Sequence, residues 1–433
     1  MKKMMCLADY PNMQLHEFGP IHEASITKKE FMILNGPQAS GKSTLSKAWF
    51  FFRTFKDVIL QRMIRTGATD HLAHYVRADL RLKFIQLFGS SWAMRNDMRL
   101  HYAYTQDVFV DIHLVQDNYK PNNIWIELSD SIEKWLSDHQ GRDLGDGNQK
   151  SLQKELNELF DDDVRVVYIP AGRSTITLLT NQINYILLSM DDEQKRLIDY
   201  ATLHYIQEIQ RIKPQFAMTA NVYFEDFVQR GGICDTKLIH ILLSSMDVIL
   251  QGRYQNTDGE ERLWLLHDIA GRHQYVKINF ASSGQQEVLW ILNLIFYYAL
   301  TGEPVSFIIE EPESNLFPET QKKMAEYISL LIALGDECWM TTHSPYILGA
   351  LNNLIYAGTL DKKGLPAVDV LQANGLDKAH MLYVEHVQAY YLDHGLLDNA
   401  IDPYTKQIRN ELIDQASDDI NALYDHLDEL EEP

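Results

Sequence analysis

Residues 36–44 read Gly-Pro-Gln-Ala-Ser-Gly-Lys-Ser-Thr, the pattern of a phosphate-binding loop. The apolar residues 31–34 (Phe-Met-Ile-Leu) before the loop suit a buried strand, and residues 45–52 after it suit an apolar helix. A glycine loop between a strand and a helix N-terminus forms an anion cradle, because backbone N–H groups and the positive end of the helix dipole face the phosphates. A chance match in a glycine-rich turn would not bring both flanking elements with it. The sequence therefore predicts a nucleoside triphosphate site.

The side chains of this loop predict how the triphosphate is held. Lys42 is expected to reach the β- and γ-phosphates, and the Ser43 hydroxyl is expected to bind Mg²⁺. The predicted phosphate-binding residues are Gly36, Pro37, Gln38, Ala39, Ser40, Gly41, Lys42, Ser43 and Thr44.

Three later segments supply the polar groups that a phosphoryl-transfer site needs. Residues 305–311 read Val-Ser-Phe-Ile-Ile-Glu-Glu, an apolar strand ending in two acids, where a Mg²⁺-side carboxylate and a water-activating carboxylate belong. Residues 281–287 read Ala-Ser-Ser-Gly-Gln-Gln-Glu and open a long apolar helix at 288–300. Residues 340–345 read Met-Thr-Thr-His-Ser-Pro and follow a short apolar stretch. The order along the chain is therefore phosphate loop, Ser-Ser-Gly, Glu-Glu and Thr-His.

This order of motifs resembles the ABC-class ATPase heads, in which the Ser-Gly signature of one subunit completes the site of another. The resemblance implies ATP and Mg²⁺ as ligands, ATP hydrolysis as the reaction, and a homodimer or higher oligomer as the working unit. The fold we expect is α/β: an ABC-type P-loop ATPase head with an inserted helical lobe and a C-terminal acidic helix.

The resemblance also assigns roles to residues of this sequence. It implies that Glu311 is the catalytic base that orients the attacking water, and that His343 is the switch histidine on the γ-phosphate. Glu310, where the class usually has aspartate, is implied as a Mg²⁺-side acid beside Ser43. The implied signature residues acting in trans are Ser282, Ser283, Gly284 and Gln285, and the implied interface loop is Glu313, Ser314 and Asn315. No glutamine clearly matches the usual Mg²⁺-sensing loop, and Gln106 is the one candidate we consider.

Composition predicts a cytoplasmic protein with no membrane partner. The chain has 433 residues and 45% apolar content, enough to fill the cores of two or three domain-sized units. Three scattered cysteines, Cys6, Cys234 and Cys338, do not make a disulfide framework. The N-terminus lacks the apolar core of a signal peptide, and the apolar run 288–300 contains Asn293 and is too short to span a bilayer.

The net charge of −21 disfavours nucleic acid as a partner of the whole molecule, but the charge is unevenly distributed. Residues 51–100 hold nine basic and four acidic residues, which leaves −26 for the remainder. The basic residues are Arg53, Lys56, Arg62, Arg65, Arg77, Arg81, Lys83, Arg95 and Arg99. Their spacing favours a solvated helix face, and a contact with DNA or with an acidic protein is the alternative.

Spacing predicts how the chain is divided. Thr44 and Ser282 are 238 positions apart, which predicts an insertion into the ATPase core. The insertion shows no sustained heptads, which disfavours an SMC-type ATPase with coiled-coil arms. The predicted units are 1–54 (β-hairpin and P-loop part of the core), 55–163 (helical and β-meander insertion), 164–175 (core strand), 176–250 (helical lobe), 251–380 (signature, acidic-strand and switch-histidine part of the core) and 381–433 (C-terminal stub and amphipathic acidic helix).

Three local expectations bear on the later argument. Short strands over 101–128 are expected to break at 117–118 and again at 121–123. Arg173 is expected either as a site or interface arginine or in a turn-capping or surface role. The terminal helix has apolar residues at 3-4-3-4-3 spacing and nine acids over 411–432, and it either packs on its own subunit or docks a partner. Its apolar residues are Ile413, Ala416, Ile420, Leu423, Leu427 and Leu430.

Three segments together resemble a bacterial branch of ABC ATPases related to OLD ATPase domains, which includes the ATPases of the PARIS and Septu anti-phage systems. They are residues 310–314 (Glu-Glu-Pro-Glu-Ser), 168–174 (Tyr-Ile-Pro-Ala-Gly-Arg-Ser) and 341–345 (Thr-Thr-His-Ser-Pro). The resemblance implies a sensor or scaffold in anti-phage defence that regulates a separately encoded effector, a nuclease or a toxin. The alternative is a DNA-repair or DNA-processing ATPase that acts on nucleic acid through residues 51–100.

Overall fold

The fold is seen in a computed structural model of the chain, which describes residues 11–66, 70–89, 95, 97–117, 120–141, 149–178, 189–191, 198–257, 259–266, 274–409 and 421–423. Its strands are β1 (Asn12–Phe18), β2 (Ile21–Thr27), β3 (Phe31–Asn35), β4 (Arg99–Ala103), β5 (Phe109–Asp117), β6 (Lys120–Leu128), β7 (Arg165–Ile169), β8 (Gly252–Thr257), β9 (Glu260–Leu265), β10 (Tyr275–Lys277), β11 (Val305–Glu310), β12 (Glu337–Thr342), β13 (Val387–Asp393) and β14 (Leu396–Asn399).

Helices connect these strands. They are α1 (Lys42–Arg53), α2 (Phe55–Thr66), α3 (Leu72–Phe88), α4 (Asp130–Asp138), α5 (Gln149–Phe160), α6 (Tyr200–Ile212), α7 (Ala220–Gln229), α8 (Thr236–Leu250), α9 (Ser283–Thr301), α10 (Pro318–Leu334), α11 (Pro345–Lys362) and α12 (Ala367–Ala373). Among the described residues, no helix is both long enough and apolar enough to cross a membrane.

One large mixed sheet organises the described part of the chain. Its strand order is β6-β5-β4-β1-β2-β14-β13-β3-β12-β11-β7. The half from β13 to β7 is parallel, whereas β6, β5, β4, β1 and β2 pair antiparallel. A smaller antiparallel sheet holds β10, β9 and β8. Parallel strands need crossover connections, so helices cover both faces of the parallel half.

The apolar run of β3 is explained by burial on both faces. Phe31 and Ile33 join one core with α8 to α11, while Met32 and Leu34 join a second core with α1 to α5. Successive side chains of a strand point to opposite faces, so a strand covered on both sides must be apolar throughout. The prediction of a buried strand before the phosphate loop is confirmed.

The element order around the parallel strands also follows the sequence prediction. The hairpin of β1 and β2 leads into β3, and α10 connects β11 to β12 as a crossover helix. Helix α9 begins after Ser282, because the Ser282 and Gln285 side chains each bond the other's backbone N–H in a capping box. The predicted hairpin and the predicted helix after the Ser-Ser-Gly segment are confirmed.

The expectation that the strands break at residues 121–123 is wrong. Strand β6 runs from Lys120 through Pro121 to Leu128. Proline is tolerated there because β6 is the outermost strand of the sheet and its register with β5 shifts between Val115 and Asp117.

The helices expected as a lobe beside the core are part of the core itself. Tyr205 and Ile209 of α6 and Leu242 of α8 lie in the same buried cluster as Val167 and Ile169 of β7. Their apolar faces cover the sheet, which explains why the helices cannot stand apart from it. Residues 231–232 lie between α7 and α8.

The C-terminal segment differs most from the expectation of a stub after residue 380. Strand β13 lies inside the large sheet and pairs in parallel with β3, with Val387 opposite Phe31. The sequence pattern marked a strand but not its neighbour, because pairing across more than 350 residues leaves no local signal. Most of the predicted acidic helix lies outside the described residues, although Leu423 is described and is 62% exposed.

Candidate functional site

The phosphate loop lies between β3 and α1 at the carboxyl end of the parallel strands. A cleft of about 240 Å³ opens there, lined by Pro20, residues 38–44, Glu311, Thr341 and His343. The structure therefore brings three predicted segments together: the loop, the Glu-Glu strand end and the Thr-His segment. Ligands of open α/β sheets bind at this edge, where crossover connections leave a crevice.

Lys42 lies folded over the loop that carries it. Its Nζ donates hydrogen bonds to the carbonyls of Gly36 (2.8 Å) and Pro37 (2.7 Å) and approaches Ser40 Oγ at 3.4 Å. Burial lowers the pKa of Lys42 to about 8, against the opposing effect of Glu311 and neighbouring carboxylates. The ammonium is therefore poorly solvated and ready to exchange loop carbonyls for phosphate oxygens.

Two glycines of the loop are required by close contacts. Gly36 has φ +152°, and a Cβ on it would overlap the carbonyl of Leu392 in β13. Gly41 has φ +110°, and a Cβ there would lie 2.7 Å from Ile21 Cδ1 and 2.8 Å from Pro20 Cγ. Sequence reasoning missed both contacts, because the β1–β2 turn and β13 are brought next to the loop only by the pairing of strands in the sheet.

The other loop residues face the cleft or solvent. Ser43 is exposed at the start of α1, and Thr44 is half-buried. Pro37, Gln38 and Ala39 are exposed, and Ala39 has a left-handed φ of +63°. The backbone N–H groups at this helix N-terminus are thus open to an anion.

The two acids at the end of β11 have different environments. Glu310 is buried, and one of its carboxylate oxygens accepts from the Ala171 backbone N–H at 3.2 Å. Burial and the neighbouring Glu310 carboxylate raise the pKa of Tyr168. Glu311 follows with φ +43° and lines the cleft. The turn at Glu311 therefore aims the second acid into the cleft while the first stays beneath it.

Glu311 and His343 are in direct contact. Glu311 Oε1 lies 3.1 Å from His343 Nε2, and both side chains are about one-third exposed, at 34% and 32%. The hydrogen bond from His343 is the main cause that lowers the pKa of Glu311, with a smaller contribution from the charge on Lys42. A carboxylate kept ionised at the cleft can accept a proton from water.

Glu313 is turned inward rather than outward. Its Oε1 accepts from Thr342 Oγ1 at 2.8 Å and from the His343 backbone N–H at 2.6 Å. Burial raises the pKa of Glu313. The side chain therefore holds its own subunit's switch segment. The interface role of residues 313–315 stays a prediction. Asn315, two residues further on, is exposed and Ser314 is half-buried.

The predicted signature residues lie at the N-terminus of α9 and do not line the cleft of their own chain. Ser282 is tied up in the capping box, whereas Ser283 is exposed, and Gln285 Nε2 donates to the carbonyl of Leu250 at 2.9 Å. Gly284 abuts the following loop, since a Cβ on it would lie 2.8 Å from the Asn315 carbonyl. Within one chain the signature and the phosphate loop are separate surfaces.

The structure places Arg173 behind the acidic turn as a site residue, one of the roles expected for it, together with Glu287, for which the sequence predicted no role. Arg173 is fully buried, not a surface residue, and its guanidinium donates to the Glu311 carbonyl at 3.0 Å and also to the Glu310 carbonyl. Its Nε lies 3.3 Å from Glu287 Oε2. The pair joins the end of β7, the signature helix and the acidic turn. The sequence signal for Glu287 was its charge, because it directly follows the Ser-Ser-Gly-Gln-Gln motif and lies one turn into an apolar helix.

Gln106 is placed away from the cleft. It lies in the turn after β4, whose Ala103 pairs with Asn12 at the start of β1. The cleft is at the other end of β1, next to Pro20. A strand of this length spans roughly 20 Å, so Gln106 does not serve as the Mg²⁺-sensing glutamine of this chain.

Most of the basic residues in 51–100 contact acidic or polar groups of the same chain. Arg53 is fully buried between Asp162 and Glu337, and Lys83 is buried with its Nζ donating to Thr54 Oγ1 at 2.6 Å. The other contacts are Lys56 with Asp162, Arg62 with Asp79, Arg77 with Glu133, Arg81 with the Ile124 carbonyl, and Arg95 with Glu17. The expectation of a solvated basic face is therefore wrong for Arg53, Lys56 and Lys83, which are buried, whereas Arg65, Arg95 and Arg99 are exposed.

The residues present fit a Mg²⁺ ion next to bound phosphates. Mg²⁺ is usually held by one or two protein oxygens together with substrate phosphates and waters, not by a cage of side chains. The exposed Ser43 hydroxyl and the Glu310 carboxylate are oxygens of this kind. Consistent with this mode, the described residues contain no cluster of three or more His, Cys, Asp or Glu side chains that could hold a metal alone.

The sequence matches the model of a known protein family. The family model described as AAA ATPase domain matches residues 12–348, which include the phosphate loop, the signature helix, the acidic turn and His343. This chain belongs to the AAA ATPase domain family. No curated protein matches it.

Solved structures give a further comparison. The SMC head bound to the C-terminal winged-helix domain of ScpA matches with a TM-score of 0.37 and 12% identity, covering 90% of this chain and 96% of that one. The SMC head domain from Thermotoga maritima matches with a TM-score of 0.34 and 11% identity, covering 90% and 97%. The family assignment rests on the AAA ATPase domain match and on the site geometry.

Proposed function

We propose that this ATPase-family chain binds ATP with Mg²⁺ at the phosphate loop and hydrolyses it at a composite site between two copies. The observation that carries the proposal is the position of Ser283, which is exposed at a helix N-terminus and lies outside its own chain's cleft. A serine hydroxyl and free N–H groups at a helix start are an anion-binding arrangement that one chain leaves unused. A second copy would bring this group to the γ-phosphate.

Each cleft residue has a definite task in this proposal. Lys42 releases its loop carbonyls and binds the β- and γ-phosphates. Bound Mg²⁺ would neutralise charge on the phosphate oxygens, with Ser43 and Glu310 on its protein side. Glu311 orients the attacking water and accepts its proton, and His343 holds the Glu311 carboxylate ionised and faces the γ-phosphate. Arg173 and Glu313 are positioning residues, because they fix the Glu311 backbone and the His343 segment from behind.

We further propose that the assembly senses infection and regulates a separate effector, a nuclease or toxin, in anti-phage defence. Support comes from the resemblance of residues 168–174, 310–314 and 341–345 to OLD-related defence ATPases. The DNA-processing alternative has lost its main support, because most of the basic residues in 51–100 are paired or bonded inside the chain. Purification of the chain with the product of the neighbouring gene tests the effector, and assay of turnover with and without duplex DNA tests the alternative.

A mixing experiment tests the composite site. Lys42→Ala removes the phosphate contact of one chain, and Ser283→Arg blocks the signature of the other. Each variant alone should be inactive. In an equal mixture, the heterodimer rebuilds one intact site from the Ser283→Arg chain's loop and the Lys42→Ala chain's signature. Random pairing of closed dimers makes half the dimers mixed, so about one quarter of wild-type turnover should return.

The mixture also distinguishes this arrangement from a site within one chain. If both groups acted within a single chain, mixing two inactive variants would restore nothing. A Ser283→Arg variant that hydrolyses ATP at the wild-type rate would also exclude the shared site. Binding of a fluorescent ADP analogue by Ser283→Arg is the control that its own loop remains intact.

A further inference from the structure

Two large aromatic side chains stand exposed at the signature and the interface loop. Of the 17 phenylalanines, all of which lie in the described residues, only Phe280 and Phe317 are exposed, at 80% and 75%. Tyr346, next to the switch segment, is 52% exposed. Burying a phenylalanine side chain removes a large apolar area from water. Two exposed phenylalanines near a site therefore indicate a surface that binds a partner.

Each of these aromatics is next to a motif of the proposed site. Phe280 is two residues before Ser282, Phe317 is two residues after Asn315, and Tyr346 is three residues after His343. All three therefore lie at the starts of α9, α10 and α11, the helices whose N-termini surround the carboxyl ends of β11 and β12.

Direct contacts join these three helix starts into one surface. A Cβ on Gly284 would lie 2.8 Å from the Asn315 carbonyl and 3.3 Å from Leu316. Gln321 Nε2 donates to the Leu316 carbonyl at 2.9 Å, and Ser344 Oγ donates to Gln321 Oε1 at 2.5 Å. The signature, the interface loop and the switch segment are thus held in fixed positions, and the aromatics project from a rigid base.

We propose that Phe280, Phe317 and Tyr346 anchor a second copy of this chain across the nucleotide. This inference rests on the proposed function, since the second copy is the one that donates Ser283. In a two-fold symmetric interface the same patch occurs on both partners, and here one continuous surface carries the signature and its flanking aromatics. Aromatic residues in the interface centre, next to the bridging ligand, are where binding energy concentrates.

Charge explains why apolar anchors are needed. Each chain has a net charge of −21, so two copies repel one another at long range. Attraction must come from short-range burial of apolar surface and from the Mg²⁺-nucleotide that both copies contact. The pairing should therefore depend on nucleotide, and its strength should depend on the aromatics.

The test compares a double variant, Phe280→Ser with Phe317→Ser, with the wild type and with Tyr404→Ser. Tyr404 is 91% exposed and belongs to no motif, so its variant controls for loss of an exposed aromatic. Pairing is measured by sedimentation velocity over a range of chain concentrations with Mg²⁺ and ATPγS. Binding of a fluorescent ADP analogue reports the loop of the single chain, and thermal unfolding reports folding.

The double variant should weaken nucleotide-dependent pairing roughly 100-fold or more, because each lost anchor occurs twice in the interface. Its ADP binding and unfolding temperature should match the wild type, and Tyr404→Ser should pair normally.

If the double variant pairs as the wild type does while Ser283→Arg does not pair, the composite site stands and the aromatic anchor is wrong. If the double variant pairs normally but loses a co-purifying effector, the surface belongs to that effector instead. If the wild type turns over ATP as a monomer, the shared site itself is wrong.

Discussion

Arg173 and Glu287, 114 residues apart in sequence, form an ion pair that is shielded from solvent at the back of the acidic turn. Glu287 also accepts from the backbone N–H groups of Arg173 (3.0 Å) and Ser174 (3.1 Å). The guanidinium in turn bonds the carbonyls of Glu310 and Glu311. The signature helix, which carries Glu287, is therefore linked through one arginine to the proposed catalytic base.

Arg173→Met should destabilise the protein by about 3–5 kcal/mol, because it leaves the Glu287 carboxylate buried without its cation. Adding Glu287→Leu should recover only part of that loss, since an apolar pair can replace the buried ion pair but leaves the backbone N–H groups of Arg173 and Ser174 without their acceptor. Turnover should stay low in the double variant, because the Glu311 carbonyl has lost its donor. Urea unfolding and steady-state ATPase assays measure the two effects. Recovery of both together would contradict a positioning role.

Lys42 should make ATP binding sensitive to alkaline pH. Burial lowers the pKa of Lys42 to about 8, and phosphate beside the ammonium would raise it again. Above pH 8, binding must therefore take up a proton, and affinity should fall as pH rises, by up to about tenfold per unit until the pKa of the bound state is reached. Calorimetry at pH 9 in buffers of different ionisation enthalpy measures this proton.

The control for that prediction is Lys42→Arg, whose guanidinium stays charged throughout this range. Its affinity, whatever its absolute value, should not change between pH 8 and pH 9. Calorimetry that finds no proton uptake by the wild type at pH 9 would mean that Lys42 is already fully charged in the free protein.

Much of the site was predictable because its motifs are local. Apolar runs and capping patterns within about ten residues are enough to recognise each element. This holds for the loop at 36–44, the strand ending at Glu310 and the helix beginning at Ser283. Their meeting at one edge follows from parallel strand connectivity. The structure brings Glu311, His343 and the loop into one cleft as that reasoning implies.

The parts that were not predictable depend on contacts between distant segments. Nothing near Gly36 in the sequence shows that the Leu392 carbonyl packs against it, and nothing near Arg53 shows that Asp162 and Glu337 neutralise it. A composition count treats Arg53 as a surface cation, whereas its partners come from two other elements. Charge statistics over 51–100 therefore could not show which of these cations have acidic partners elsewhere in the chain.

Glu311→Gln should lower turnover by roughly 10²–10⁴-fold while ATP stays bound, because the amide orients water but cannot accept its proton. Single-turnover assays with radiolabelled ATP separate binding from cleavage. Glu310→Gln is the matched control, and it should chiefly raise the Mg²⁺ concentration needed for activity. Normal turnover by Glu311→Gln with loss in Glu310→Gln would move the base assignment to Glu310.

His343→Ala should shift the acid limb of the turnover profile to higher pH. The hydrogen bond from His343 lowers the pKa of Glu311 in the folded protein, so the wild-type base stays ionised below the usual carboxylate range. Without that donor, Glu311 should take up a proton at a higher pH and lose its function there. Profiles of kcat/KM against pH for both proteins report the free protein and measure the shift, and coincident acid limbs would show that His343 does not control Glu311.

Truncation separates the core strand from the segment that follows it. Removing residues 410–433 should leave nucleotide binding intact, because the sheet and the cleft are built from earlier residues. Removing residues 386–433 deletes β13, which pairs with β3 and supplies the Leu392 carbonyl that covers Gly36. The shorter chain should fail to fold or lose nucleotide binding, since β3 would lose a neighbour and the loop its support. Binding of a fluorescent ADP analogue and thermal unfolding compare the two truncations. A shorter chain that folds and binds as the longer one does would mean that β13 is dispensable to the core.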